Sequence, residues 1–131
     1  MRILIAEDDF ASRKFMLKFL SKFGECDITV DGMEAVDAYL MALDADTPYD
    51  LVCLDIMMPA LDGYQALKAI RDIEQERKIP EDQRAKIIMT TALNEGANVN
   101  KAFDLGCVVY AGKPIDQVKF ESVLRKLELI D

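Results

Sequence analysis

Five short apolar runs alternate along the chain with five segments of helical periodicity. The runs are Ile3–Ala6, Cys26–Val30, Leu51–Leu54, Lys86–Thr90 and Cys107–Ala111. Between them apolar residues recur at helical spacing, as a helix with one buried face requires. The first helix carries Phe15, Phe19 and Phe23 beside Met16 and Leu20. The second follows Asp31-Gly32, with Asp31 placed to cap, and shows Ala35, Val36, Tyr39, Leu40 and Leu43. The third follows Asp62, with Gln65 placed for a capping box, and shows Leu67, Ile70 and Ile73. A fourth, over 95–105, is the poorest: Gly96, Asn98 and Asn100 weaken it, and its apolar face is only Val99, Ala102 and Phe103. A fifth starts near Asp116 and shows Phe120, Val123, Leu124 and Leu127, with Arg125 and Lys126 suiting its C-terminal dipole.

This alternation, with connections so short, predicts an α/β fold: a doubly wound five-stranded parallel sheet with helices on both faces. The first, third and fourth runs are nearly all apolar, as strands buried on both faces should be. The second alternates Cys26, Ile28 and Val30 against Asp27 and Thr29, which suits an exposed edge. Strand order 2-1-3-4-5 satisfies both conditions and puts a ligand crevice at the carboxyl ends of strands one and three. The polar stretch from Glu74 to Lys86 reads as a solvated connection into strand four.

Composition narrows the function. At 131 residues the chain suits one domain, 1–131, and 51% hydrophobic with 31% charged residues is the balance of an ordinary globule. No apolar run is long enough to span a membrane, and the N-terminus lacks a signal-peptide layout, so a cytoplasmic location is expected. Met1 directly before strand one and the short tail after Leu127 favour a complete protein. A net charge of −8 argues against duplex DNA or an anionic membrane as the direct ligand. Cys26, Cys53 and Cys107 each sit in apolar runs and read as small core residues. The absence of histidine removes Cys–His and Ser–His pairs and the usual zinc sites.

The polar interruptions carry the chemistry. Strand one ends in Glu7-Asp8-Asp9, strand three in Asp55, strand four in Thr90-Thr91, and strand five leads to Lys113-Pro114. A parallel sheet brings all four carboxyl ends to one edge. Crowded carboxylates raise one another's proton affinity unless a cation intervenes. Magnesium, a hard cation with oxygen ligands, is the natural partner, with manganese as the alternative ion. With such a cation and a lysine nearby, an aspartate oxygen can attack a phosphoryl group, and the threonine hydroxyl can bond its oxygens.

The pattern resembles the receiver domains of two-component response regulators, especially stand-alone chemotaxis-type ones, whose fold is the flavodoxin-like (βα)5 arrangement. The matching pieces span the chain: Glu7-Asp8-Asp9-Phe10, Leu54-Asp55-Ile56-Met57-Met58-Pro59 with Asp62-Gly63, Thr91-Ala92, and Lys113-Pro114. The resemblance implies that Asp55 is the phosphoacceptor. It implies Asp9 as a direct magnesium ligand, Asp8 as the residue orienting metal-bound water, and the Met57 carbonyl as a further ligand. Thr91 would be the switch hydroxyl, Lys113 the counter-ion, and Tyr110 the switch aromatic. The Lys113-Pro114 bond is expected to be cis. Asp9 is also placed to cap the first helix, and Glu7 reads as a solvated or outer acid. Implied partners are a sensor histidine kinase or phosphotransfer protein and an output protein, meeting the face of helix four, strand five and helix five. A phosphorylation-dependent dimer is a further implication.

Two positions depart from many relatives. Met57, two after Asp55, and Leu93, two after Thr91, are apolar where polar groups often align attacking water, so slow loss of the phosphoryl group is expected. Two other functions compete with a signalling switch. A magnesium-dependent phosphohydrolase with an aspartyl nucleophile would carry a second aspartate where Met57 stands. A flavodoxin-like cofactor binder would need a Ser-, Thr- or Gly-rich loop where Glu7-Asp8-Asp9 stands. The switch, not an enzyme in the ordinary sense, fits best.

Overall fold

The computed structural model describes residues 1–92 and 109–131. Its elements are β1 (Arg2–Ala6), α1 (Phe10–Leu20), β2 (Glu25–Thr29), α2 (Gly32–Asp44), β3 (Leu51–Asp55), α3 (Gly63–Glu76), β4 (Lys86–Ala92), β5 (Val109–Lys113) and the C-terminal helix α4 (Gln117–Lys126). A short 3-10 turn, Glu81–Gln83, precedes β4. The helix expected over 95–105, and with it Leu93 and Cys107, lies outside the described residues.

All neighbouring strands are parallel, in the order β2-β1-β3-β4-β5, as expected from the apolar runs. Strand parity divides the core in two. Leu4, Ala6, Val52, Leu54, Ile87 and Met89 point to the α2 and α3 side. Ile3, Ile5, Leu51, Cys53 and Ile88 point to the α1 and α4 side, against Met16, Phe19, Phe120 and Leu124. Because helices cover both faces, neither parity is free to be polar, which explains the continuous apolar runs. Cys53 is a core residue as expected, and Cys26 is half-buried.

Three local expectations need correction. β4 runs on through Thr90, Thr91 and Ala92, and β5 runs as far as Lys113, with Ala92 opposite Lys113. The ladder between these strands outlasts the apolar stretch, because backbone pairing does not depend on side-chain polarity. On the edge strand, Ile28 is 41% exposed while Thr29 is buried, its hydroxyl donating to the Ile5 carbonyl at 3.0 Å. The edge assignment holds, but its inward face carries the threonine. Glu74 is no loop residue: it is fully buried on α3, accepting from the Tyr39 hydroxyl, the Ala85 N–H and Arg71. Paired polar groups let a carboxylate occupy a core position that hydropathy alone rejects.

The helix starts follow local chemistry. Asp9, Asp31, Asp62 and Asp116 each cap a helix with the side-chain carboxylate, and Asp62 forms a reciprocal capping box with Gln65. Among the described residues, no helix is long and apolar enough to cross a membrane.

Candidate functional site

The carboxyl ends of β1, β3, β4 and β5 place the chemistry. In register, Ala6 lies opposite Leu54 and Asp55 opposite Thr90, so the β1–α1 turn follows directly beside the end of β3. The backbone continues the alignment, with Ile56 N–H donating to the Thr90 carbonyl at 3.0 Å and Gly63 N–H to the Ile56 carbonyl at 2.8 Å.

Glu7, Asp8 and Asp55 each offer a carboxylate oxygen, all within 4.8 Å of one another. Glu7 and Asp55 are buried, at 3% and 4% exposure, while Asp8 is open to solvent. The Lys113 ammonium reaches across to bond the Glu7 carboxylate and sits 3.3 Å from an Asp55 oxygen. Burial and the adjoining Glu7 carboxylate push the Asp55 carboxyl up to about 8, and Lys113 offsets only part of this. Burial also opposes the Lys113 charge, but Glu7 and Asp55 outweigh it and hold that ammonium above its usual range.

The acidic cluster contains Glu7 rather than Asp9, the acid expected beside Asp8 and Asp55. Asp9 turns its carboxylate to the Ser12 N–H at 2.8 Å and caps α1. Its hydrogen bonds from Ser12 hold it below the usual carboxylate range. The third acid of the cluster is instead Glu7, which was expected to be solvated. Strand parity explains this. Ile3, Ile5 and Glu7 share one face, so Glu7 continues an inward-pointing series past the end of β1 and meets Lys113. Asp9 shares that parity, so it is the capping position of Asp9 that separates the two acids.

The other expected residues fall around the same edge. Thr91 is buried at the end of β4, and Thr90 beside it lines a cleft of about 260 Å³ with Glu7, Lys113, Pro114 and Phe15. Met57 lies on the β3–α3 turn and is 58% exposed. Tyr110, on β5 opposite Met89, packs half-buried against the α2 and α3 core. The Lys113-Pro114 bond is cis.

Three carboxylates facing one ammonium leave an excess of negative charge, and all their free donors are oxygens. That donor set fits a hard divalent cation of the magnesium class.

Residues 3–125 match the family model described as the response regulator receiver domain. The chain belongs to this family. Among curated proteins this receiver is 31% identical to a probable histidine kinase 2 of Oryza sativa, a match covering 89% of this chain but only 12% of that protein. Among solved structures it resembles the CheX-CheY-BeF3-Mg+2 complex from Borrelia burgdorferi. The TM-score there is 0.79 and the identity 27%, covering 96% of this chain and 88% of that one. It also resembles the Saccharomyces cerevisiae complex of the histidine phosphotransfer protein Ypd1 with the receiver domain of Ssk1. That match has TM-score 0.75 and 26% identity, covering 97% of this chain and 86% of that one. Receiver membership and the acidic pocket together make this a two-component signalling domain with a magnesium-type site.

Proposed function

We propose that the chain is a phosphoacceptor switch in which Asp55 takes a phosphoryl group from a phosphohistidine. The single observation carrying this is the placement of Asp55: buried, beside two further carboxylates, and within reach of the Lys113 ammonium. An Asp55 oxygen attacks the phosphorus, the P–N bond breaks, and the imidazole nitrogen leaves with its electron pair. Water later cleaves the acyl phosphate and restores the carboxylate.

Glu7, Asp8 and Asp55, with the Met57 carbonyl, are the residues that would hold a divalent cation, and Asp9 is left to cap α1. When bound, that cation supplies positive charge against the phosphoryl oxygens. Lys113 pairs with a second oxygen once its hold on Asp55 is relieved. Thr91 donates its hydroxyl, and Tyr110 is the aromatic that responds to that movement. The phosphoryl donor is a sensor histidine kinase or a phosphotransfer protein, a reading supported by the Ssk1 receiver's complex with Ypd1. An output protein meets the surface of the expected fourth helix, β5 and α4, where a phosphorylation-dependent dimer would also form. The whole of 1–131 acts as the receiver unit, working as a switch with slow self-dephosphorylation.

Incubation with labelled acetyl phosphate and magnesium tests the reading. The wild type should label in a chelator-sensitive way and Asp55→Asn should not. Full labelling of Asp55→Asn would overturn the assignment.

A further inference from the structure

Arg13 lies in the first turn of α1, half-buried against the acidic turn. One terminal nitrogen of its guanidinium donates to the backbone carbonyl of Glu7 at 3.0 Å and to that of Asp8 at 3.3 Å. These are the two residues of the β1–α1 turn whose carboxylates join Asp55. Phe10, three residues earlier on the helix, lies beneath the guanidinium, with 5.6 Å from its central carbon to the ring centroid. That stack engages a ring otherwise 68% exposed.

Both acids sit past Ala6, the last residue of β1, and the Glu7 N–H bond to the Thr29 carbonyl is the last tie to the neighbouring strand. Beyond that rung the turn is held by the Asp9 N–H, donating to the Glu7 carboxylate at 3.3 Å, and by Arg13 on the two carbonyls, while adjacent like charges favour spreading it. We infer that Arg13, steadied by Phe10, is a positioning residue: it ties down the Glu7–Asp8 backbone and so aims both carboxylates at one divalent cation. This rests on reading the cluster as a divalent-cation site.

The sign of its effect makes the role testable. A half-buried positive charge near a cation site weakens cation binding by Coulomb repulsion. Fixing the ligands' backbone strengthens binding, because groups behind the ligands hold them in place. Removing Arg13 therefore tightens binding if charge alone matters, and weakens it if positioning prevails.

Titration of the full chain with Mg2+, followed by the amide resonances of Glu7, Asp8 and Asp55, separates these cases. Arg13→Ala should weaken Mg2+ binding about 10-fold. Arg13→Lys, which keeps a donor and the charge, should recover most of the affinity. In the cation-free protein, amide relaxation at Asp8 and Asp9 should show greater motion in Arg13→Ala than in the wild type. Unchanged or tighter binding by Arg13→Ala overturns the inference. If that variant does not fold, Phe10→Ala decides by the same criterion, with weaker binding expected and unchanged or tighter binding overturning it. A wild-type chain that ignores Mg2+ removes the cation site itself, and this role with it. A wild type that binds Mg2+, with an Arg13→Ala variant that binds it equally well, removes only the role.

Discussion

Asp55 is held where its own ionisation is opposed. An aspartate in the unfolded chain ionises near 3.8, whereas burial and then Glu7 push Asp55 up to about 8 in the fold. The folded state therefore binds the extra proton between those values, and stability falls as pH rises through that window. Asn has no such charge. In chelator, Asp55→Asn should match the wild type near pH 4 and exceed its urea stability at pH 8 by on the order of 1–3 kcal/mol. An advantage that does not grow with pH would refute this account of the site's electrostatics. Met57 offers a second test at this scale. Its exposed side chain on the β3–α3 turn offers an attacking water no donor and only a weak sulfur acceptor. Met57→Asn should shorten the phosphoryl lifetime several-fold, as read from the decay of labelled protein after the donor is removed.

Among the elements, α3 carries constraints at both ends. At its start, Gly63 packs on the end of β3, where an added Cβ would lie 2.5 Å from the Asp55 carbonyl oxygen and 2.8 Å from the Ile56 Cα. Neither backbone atom can move without disturbing Asp55. Gly63→Ala should cost roughly 1–3 kcal/mol and depress Asp55 labelling, measured by chemical denaturation and by the acetyl phosphate assay on one preparation. Near its end, Glu74 joins α2, α3 and the approach to β4 through bonds of 2.6 Å from Tyr39, 2.6 Å from Arg71 and 2.9 Å from the Ala85 N–H. Burial and then Glu74 hold the Tyr39 phenol above its ordinary range. Glu74→Ala would take this acceptor from the Tyr39 hydroxyl and the buried Ala85 N–H, while Arg71 keeps its bond to the Ala85 carbonyl. A loss of about 3 kcal/mol is expected; a change within ordinary surface values would mean the network contributes little.

For the whole molecule, cation binding and folding are linked. A cation that binds only the folded chain stabilises it by about 1.4 kcal/mol at ten times its dissociation constant. For a domain of this size that raises the melting temperature by roughly 5 °C. Protons compete for Asp55, so the magnesium-induced shift should be larger at pH 8 than at pH 5, and Asp55→Asn should lose most of it. Thermal melts with magnesium and with chelator at both values check this. Equal shifts at the two pH values would separate cation binding from Asp55.

The fold was largely legible in the chain because hydrophobic periodicity is local. Each apolar run announced a strand, each aspartate before a helix announced a cap, and the polar alternation of β2 announced an edge. The strand-end positions of Asp55, Thr91 and Lys113, and of Asp8 just past β1, were also legible, because polar residues there are conspicuous against apolar runs. Three things depended on the tertiary structure. Whether Glu7 or Asp9 joins Asp55 turns on how soon α1 begins after β1, and on Asp9 being taken by the Ser12 N–H as that helix's cap. Glu74 looked solvated until Tyr39, from a helix far back in the chain, supplied a buried partner. Arg13 could not be assigned from spacing, since its partners are backbone carbonyls, which every residue possesses and no sequence distinguishes. Local pattern fixed which residues are chemically able; the meeting of distant strand ends decided which of them lie together.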